Sequence, residues 1–349
     1  MSGLGSRSRA PRPFTKRWTA KLDGQVAGFA WSPGRALLAA ASADGPIAVF
    51  DAATGQVKYP LAGHGGATAS VAWRPGDDAT LASAGQDGKV RLWNLAGERA
   101  AATDLPAGAT WAERVAWSPD GVHLASAAGR KLRLWSPTGD LVHEFPDHPS
   151  TILDLGWKPG GGPLASAAYG KLQLWLPDRA EPVQRFEWKG SMLVLAWSPD
   201  GRYIATGDQD RTVHFWNVAT GDDLMMSGYP TKVREISWDA SSRYLATGGG
   251  DMPCVWDCSG TGPEGTEPMQ CKGHDELVTA LAFQHRGPYL VSADRNGLLL
   301  LWHPGGAKAA VVRSQLDSPV THVVWADDDK HLAVGTEAGD VVLYALPTL

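Results

Sequence analysis

The sequence predicts an all-β repeat protein whose copies stack and close radially. Three observations predict it: sixteen tryptophans in 349 residues, a near-constant interval between them, and turn residues dividing short apolar runs. Tryptophan that frequent, beside 41 Gly and 24 Pro, points to one position recurring, so repeats come before any single element. The chain is 43% apolar, enough for a large core, which excludes global disorder. At about 100–200 residues per domain the length suggests two domains, but closed all-β architectures run longer as one unit.

The repeat reads apolar-x-Trp, a Pro/Gly/Asp turn, Leu-Ala-Ser or similar, then apolar-x-apolar-Trp. Its first anchor falls at Trp31, Trp73, Trp117, Trp157, Trp197, Trp238, Phe283 and Trp325, spaced 40 to 45 residues apart. Its second falls at Phe50, Trp93, Trp135, Trp175, Trp216, Trp256, Trp302 and Tyr344. Thirteen of the sixteen tryptophans occupy these registers; Trp18, Trp111 and Trp188 do not.

Taken in order, the elements are strands. An orphan strand, residues 14–22, precedes the first copy. Within a copy, as in residues 71–95, three short apolar runs rich in β-branched and aromatic residues are divided by Pro-Gly and Asp-Gly turn signals. No window sustains the 3.6-residue period of an amphipathic helix. A fourth, more variable strand lies between copies, as in Val57–Leu61 before Gly63 and His64. Four antiparallel strands with two apolar faces cannot bury themselves alone, so copies must stack, and radial closure leaves few open edges. The last copy carries three strands, through Val341–Tyr344.

Gly63-His64, Leu81-Ala82-Ser83, Asp87 and Val90-Arg91-Leu92-Trp93-Asn94 together resemble the WD40 repeat, and Trp256-Asp257 supplies the literal Trp-Asp pair. The resemblance covers about residues 14–349. It implies a β-propeller of four-stranded blades around a central channel. The simplest closure makes the orphan strand the outer strand of the last blade, giving eight blades; seven, with a degenerate extra copy, is the alternative. Residues 1–13 are expected to form a disordered basic tail, and 14–349 a single propeller domain.

The resemblance also implies a buried chain of hydrogen bonds in each blade, from Trp through Ser/Thr and His to Asp, each polar group satisfying the next. Copy two matches throughout, with Trp93, Ser83, His64 and Asp87. Copy seven offers Trp302, Ser292 and His274 with Asn296 at the Asp position. Copy five keeps Trp216, Thr206 and Asp210 but has Trp188 for His. Copy four has Trp175, Ser166 and His148, with Tyr169 near the Asp position.

Enzyme signatures are absent. Gly260–Gly265 fits G-x-G-x-x-G but lies in a Pro-containing loop between strands with no helix after it. His143 to His148 approximates a zincin motif with one residue too many and a proline. Cys254, Cys258, Cys271 and His274 have the residue types of a zinc site. Cys258 and Cys271, however, occupy positions that are apolar in other copies, where buried Cys acts as a small hydrophobe. In an extended strand Cys254 and Cys258 stand about 13 Å apart, beyond one ion's reach. The expectation is therefore no metal and no cofactor; a metal- or small-ligand-binding propeller, using the Cys-rich sixth blade or the channel mouth, is the alternative.

Residues 1–22 hold six basic side chains and no acid, leaving the rest with 26 basic against 37 acidic, a net charge of -11. An acidic body disfavours nonspecific nucleic-acid binding. No apolar stretch approaches the ~18 residues of a membrane span, and the start of the chain has no secretory apolar region. The expected location is cytoplasmic, with neither nucleic acid nor membrane as partner.

What remains is surface, and the resemblance directs attention to the channel mouth, where partner contacts in the family often gather. The turns entering each inner strand and those between second and third strands open there. Trp111 is the one aromatic six residues before a first anchor, and Glu113, Lys232, Arg234, Leu277 and Arg295 accompany it. Interface anchors are enriched in Trp, Tyr and Arg. The expected function is a noncatalytic scaffold that binds one or more proteins at this face through an acidic partner surface.

Overall fold

The structure is a computed structural model describing residues 13–260, 262–306 and 309–348. The proposed tail, residues 1–13, lies almost wholly outside the described residues. Each copy runs outward in chain order: in the first, Val26–Trp31 is innermost, followed by Leu37–Ser42, Ile47–Asp51 and the outer Val57–Leu61. Second strands are small and apolar (LASAG, LASAA, LVSAD) and buried along their length, because sheets cover both their faces. Outer strands such as Ala101–Pro106 are largely exposed.

Inner strands touch one another in a closed circle, the last, Val320–Trp325, returning to the first, Val26–Trp31. The first-register tryptophans join the copies. Each indole N–H donates to a carbonyl of the preceding copy's inner strand: Trp73 to Ala30, Trp117 to Ala72, Trp157 to Ala116, Trp197 to Gly156, Trp238 to Ala196 and Trp325 to Ala282, at 3.0–3.3 Å. Trp31 closes the circle on Val324 at 3.4 Å. The repeat interval thus has a physical purpose: it returns an indole to the same seam every time.

The expectation of eight separate blades requires correction: the described strands assemble into seven sheets, the alternative count. The reason is a merger rather than a degenerate copy. Leu164–Trp175 holds the second and third strands of the fourth copy, folded back on each other at Tyr169–Gly170 so that Trp175 donates to Ser166 at 2.9 Å. Gln184–Trp197 carries the fourth copy's outer strand into the fifth copy's inner strand. The fourth and fifth copies are therefore joined in one sheet, through Tyr169 opposite Ser191, beside six four-stranded ones.

The orphan strand closes the ring as anticipated. Thr15–Lys21 lies antiparallel on Asp340–Ala345, from Thr15 opposite Ala345 to Lys21 opposite Asp340. Trp18 packs on Phe50 and donates to the Ala52 carbonyl at 2.9 Å, which accounts for one tryptophan outside the repeat. Among the described residues no helix is long and apolar enough to cross a membrane.

Candidate functional site

In each antiparallel unit the start of the inner strand and the turn between second and third strands lie at the same end. The six residues expected at a binding face all fall on these connections. Trp111 and Glu113 sit on the connection entering Arg114–Trp117. Ala112 N–H donates to the Gly85 carbonyl of the second copy, Glu113 N–H to Ala127, and the Glu113 carboxylate accepts from Gly129 N–H at 2.9 Å. Burial raises the Glu113 carboxyl above its ordinary value. Glu113 is thus a loop fastener, while Trp111 beside it is 56% exposed. Packing beneath its loop does not occupy Trp111.

Lys232 and Arg234 are exposed on the connection entering Ile236–Trp238, which is pinned by Val233 N–H on Asp208 and Thr231 N–H on Gly249. Leu277, half-buried, accepts from the backbone N–H of exposed Arg295 at 3.1 Å. The structure therefore brings Lys232 beside Arg234 and Leu277 beside Arg295, in neighbouring copies. Trp111 and Glu113 are three copies from the first pair and four from the second. Tyr169, 54% exposed at the bend of Leu164–Trp175, opens at the same end and was missed. Its signal was present: an aromatic standing where other copies carry a network acid.

The networks follow the expected order only in part. In copy two Trp93 donates to Ser83 at 2.9 Å, Ser83 meets His64 Nε2 at 2.7 Å, and His64 Nδ1 meets Asp87 at 2.7 Å. In copy seven the acid is Asp294, 2.8 Å from His274, rather than Asn296, because the carboxylate comes from the end of the second strand. Copy four runs from Trp175 through Ser166 to His148 and stops; exposed Tyr169 does not complete it, and burial pushes His148 down to about 4. Copy five bonds Trp216 to Thr206, but Trp188 packs at a tilt against His214 with ring centres 4.0 Å apart rather than relaying to Asp210. Copy six substitutes Tyr229, whose hydroxyl accepts from Trp256 and meets Thr247.

The cysteines do not converge. Cys258 belongs to the core between copies five and six and Cys271 to that between six and seven. Burial pushes each of these two thiols up to about 12. His274 commits both ring nitrogens, to Ser292 and Asp294. Among the described residues no three His, Cys, Asp or Glu side chains are grouped to hold a metal ion.

Inner strands also carry polar groups that the repeat does not announce. Arg114 pairs with Asp154 at 3.1 Å, and Asp154 also accepts from Leu195 N–H, so one carboxylate ties three copies together. Burial pushes His322 down to about 4 and raises Glu235 above its ordinary value.

A closed circle of antiparallel units, joined by indole bonds at its seams, with complete Trp–Ser–His–Asp relays in copies two and seven and paired loops at one end, defines a WD40-type β-propeller. The family described as "WD domain, G-beta repeat" matches residues 55–94, 110–136, 181–217 and 265–303. The chain is 29% identical over 128 residues to "WD repeat-containing protein 18" of Rattus norvegicus, covering 34% of this chain and 30% of that protein. It is 29% identical over 152 residues to "Transcription initiation factor TFIID subunit 5" of Caenorhabditis elegans, covering 42% and 22%. It is 32% identical over 82 residues to "Polycomb group protein FIE1" of Oryza sativa subsp. japonica, covering 24% and 16%. These matches span less than a third of each relative's length. The crystal structure of the computationally designed Ika8 protein superposes with a TM-score of 0.78 at 21% identity, covering 95% of this chain and all of that one, a likeness of fold. The matched repeats and the names of these relatives support a WD40-repeat β-propeller family.

Proposed function

We propose that the protein is a noncatalytic interaction scaffold that docks a protein partner across the channel mouth. One observation carries this reading: Trp111 is the sole exposed tryptophan of the sixteen, and it stands at the channel-mouth end. An exposed indole costs water contact and returns nothing to the fold, which is the profile of an interface anchor. The relatives support a scaffold in kind, since one is a subunit of a transcription initiation factor and another a Polycomb group protein. Lys232, Arg234 and Arg295 are exposed cations at the same end of a body with net charge -11, so the partner surface is acidic. Because Trp111 and Arg234 lie in different copies, the partner spans the opening rather than sitting on one loop. The reading has the protein acting in the cytoplasm.

Pull-down from the native host, repeated with Trp111→Ala combined with Arg234→Glu, tests the proposal. Capture should weaken by about 2 kcal/mol or more if both are anchors, with the melting temperature almost unchanged. A folded double variant that captures its partner as tightly as the wild type would refute it.

A further inference from the structure

The sixth copy departs furthest from the repeat, and its outer margin is open. Its outer strand is two residues long, Met269–Gln270, and pairs only with Cys254 and Val255 of the third strand Cys254–Asp257. In the third copy the outer strand reaches the anchor itself, with Trp135 opposite Leu141. In the sixth, among the described residues, Trp256 and Asp257 have no strand partner on that side. A groove runs past the place a longer strand would fill. Three cavities of about 880, 270 and 360 Å³ adjoin there, the first two sharing Pro268 and Gln270, the last two sharing Ser227 and Trp256.

The groove has two chemistries. Trp256, Tyr229, Pro263 and Met225 line it with apolar surface, and Met225 is 52% exposed. Asp251, Glu264 and Glu267 are exposed at its edges, against Lys272 as the sole cation among its described lining residues. We infer that it receives an extended peptide segment of a partner protein, apolar on one side and basic on the other, added as a strand beside Trp256 and Asp257. An open strand edge supplies main-chain hydrogen bonds, and the two-residue period turns alternate side chains to opposite surfaces. The acidic margin selects a basic segment. The lining reaches the channel-mouth turns at Pro230 and Asp251, but Glu264 and Glu267 stand on the connection between the third strand and the outer strand, at the opposite end from Lys232 and Arg234.

Two fluorescent decapeptide pools test this by anisotropy, one alternating Arg or Lys with Val or Leu, the other alternating Glu or Asp with the same apolar residues. The basic pool should bind the wild type, and Glu264→Lys with Glu267→Lys should weaken that binding about tenfold or more. Trp111→Ala with Arg234→Glu should leave it unchanged. Amide exchange across residues 254–258 should slow when the basic pool is added. Four results overturn the inference: no binding of the basic pool, equal binding of the acidic pool, indifference to the Glu264/Glu267 reversal, or loss of binding in the Trp111/Arg234 variant. Because the two double variants lie on different surfaces, failure of the channel-mouth reading and failure of this one are distinguishable.

Discussion

His64 shows how one residue can look catalytic and serve structure. Burial lowers its pKa despite the Asp87 carboxylate beside it, so the imidazole is neutral at pH 7. Its Nδ1–H then donates to Asp87, and its Nε2 accepts from Ser83, whose oxygen accepts from Trp93. A Cβ on Gly85 would stand 2.3 Å from the imidazole, so only glycine fits there. His64→Ala strands the partners at both ends of the relay and should cost about 1–3 kcal/mol in chemical denaturation, while partner capture by the folded fraction holds. Loss of capture without loss of stability would make His64 functional. Asp208 carries the opposite pH sign. Burial raises it to about 7, and its carboxyl lies 3.8 Å from His214 Nε2. Stability from a raised group is present below its unfolded value near 3.8 and is lost as pH rises through about 7. Asp208→Asn should therefore raise the melting temperature at pH 8 and give little or no gain at pH 5. An equal gain at both would show that the carboxyl does not titrate in this window.

At the scale of elements, the strand Thr15–Lys21 is the sharpest case. It supplies the outer edge of the last sheet and the Lys21–Asp340 ion pair at 2.9 Å. Deleting residues 1–22 exposes the edge of Asp340–Ala345 and should lower stability and promote aggregation; deleting 1–13 should do little. Identical melting of the two truncations would contradict the pairing. This strand was legible because residues 14–22 stand before the first copy while the last copy carries only three strands. The merged sheet was not. Tyr169-Gly170 and Lys189-Gly190 look like ordinary turn signals, and the chain does turn there, but Tyr169 pairs with Ser191 across the two turns and so joins the copies in one sheet. The acid of copy seven was missed for a different reason: residue spacing from a repeat assumes that the acid always sits in the turn, and Asp294 reaches His274 from the end of the strand instead. Of the proposed face, the sequence placed the loops through their register. It could not distinguish exposed Trp111 from half-buried Glu113, which depends on what neighbouring copies bring to the loop.

For the whole molecule, charge and closure set the behaviour. With residues 23–349 at net charge -11, a basic patch attracts an acidic partner mainly through screened Coulomb forces, and Debye screening shortens steeply with salt. Capture at the channel mouth should weaken progressively between 0.05 and 0.5 M salt, more steeply for wild type than for Arg234→Glu. Equal salt slopes would remove Arg234 from the interface.

The seams of the ring are unequal, and this decides where it gives way. Seven of the eight first anchors are tryptophans bonded across to the preceding copy. The eighth is Phe283, which has no indole and relies on its backbone N–H to Ser237. It borders the copy with the two-residue outer strand. A bracelet built this way has its clasp between the sixth and seventh copies, while the point where Thr15–Lys21 fastens is held by a full strand and by Trp31. Under mild denaturant the ring should breathe first at the Phe283 clasp, and the fourth and fifth copies, joined in one sheet, should loosen later.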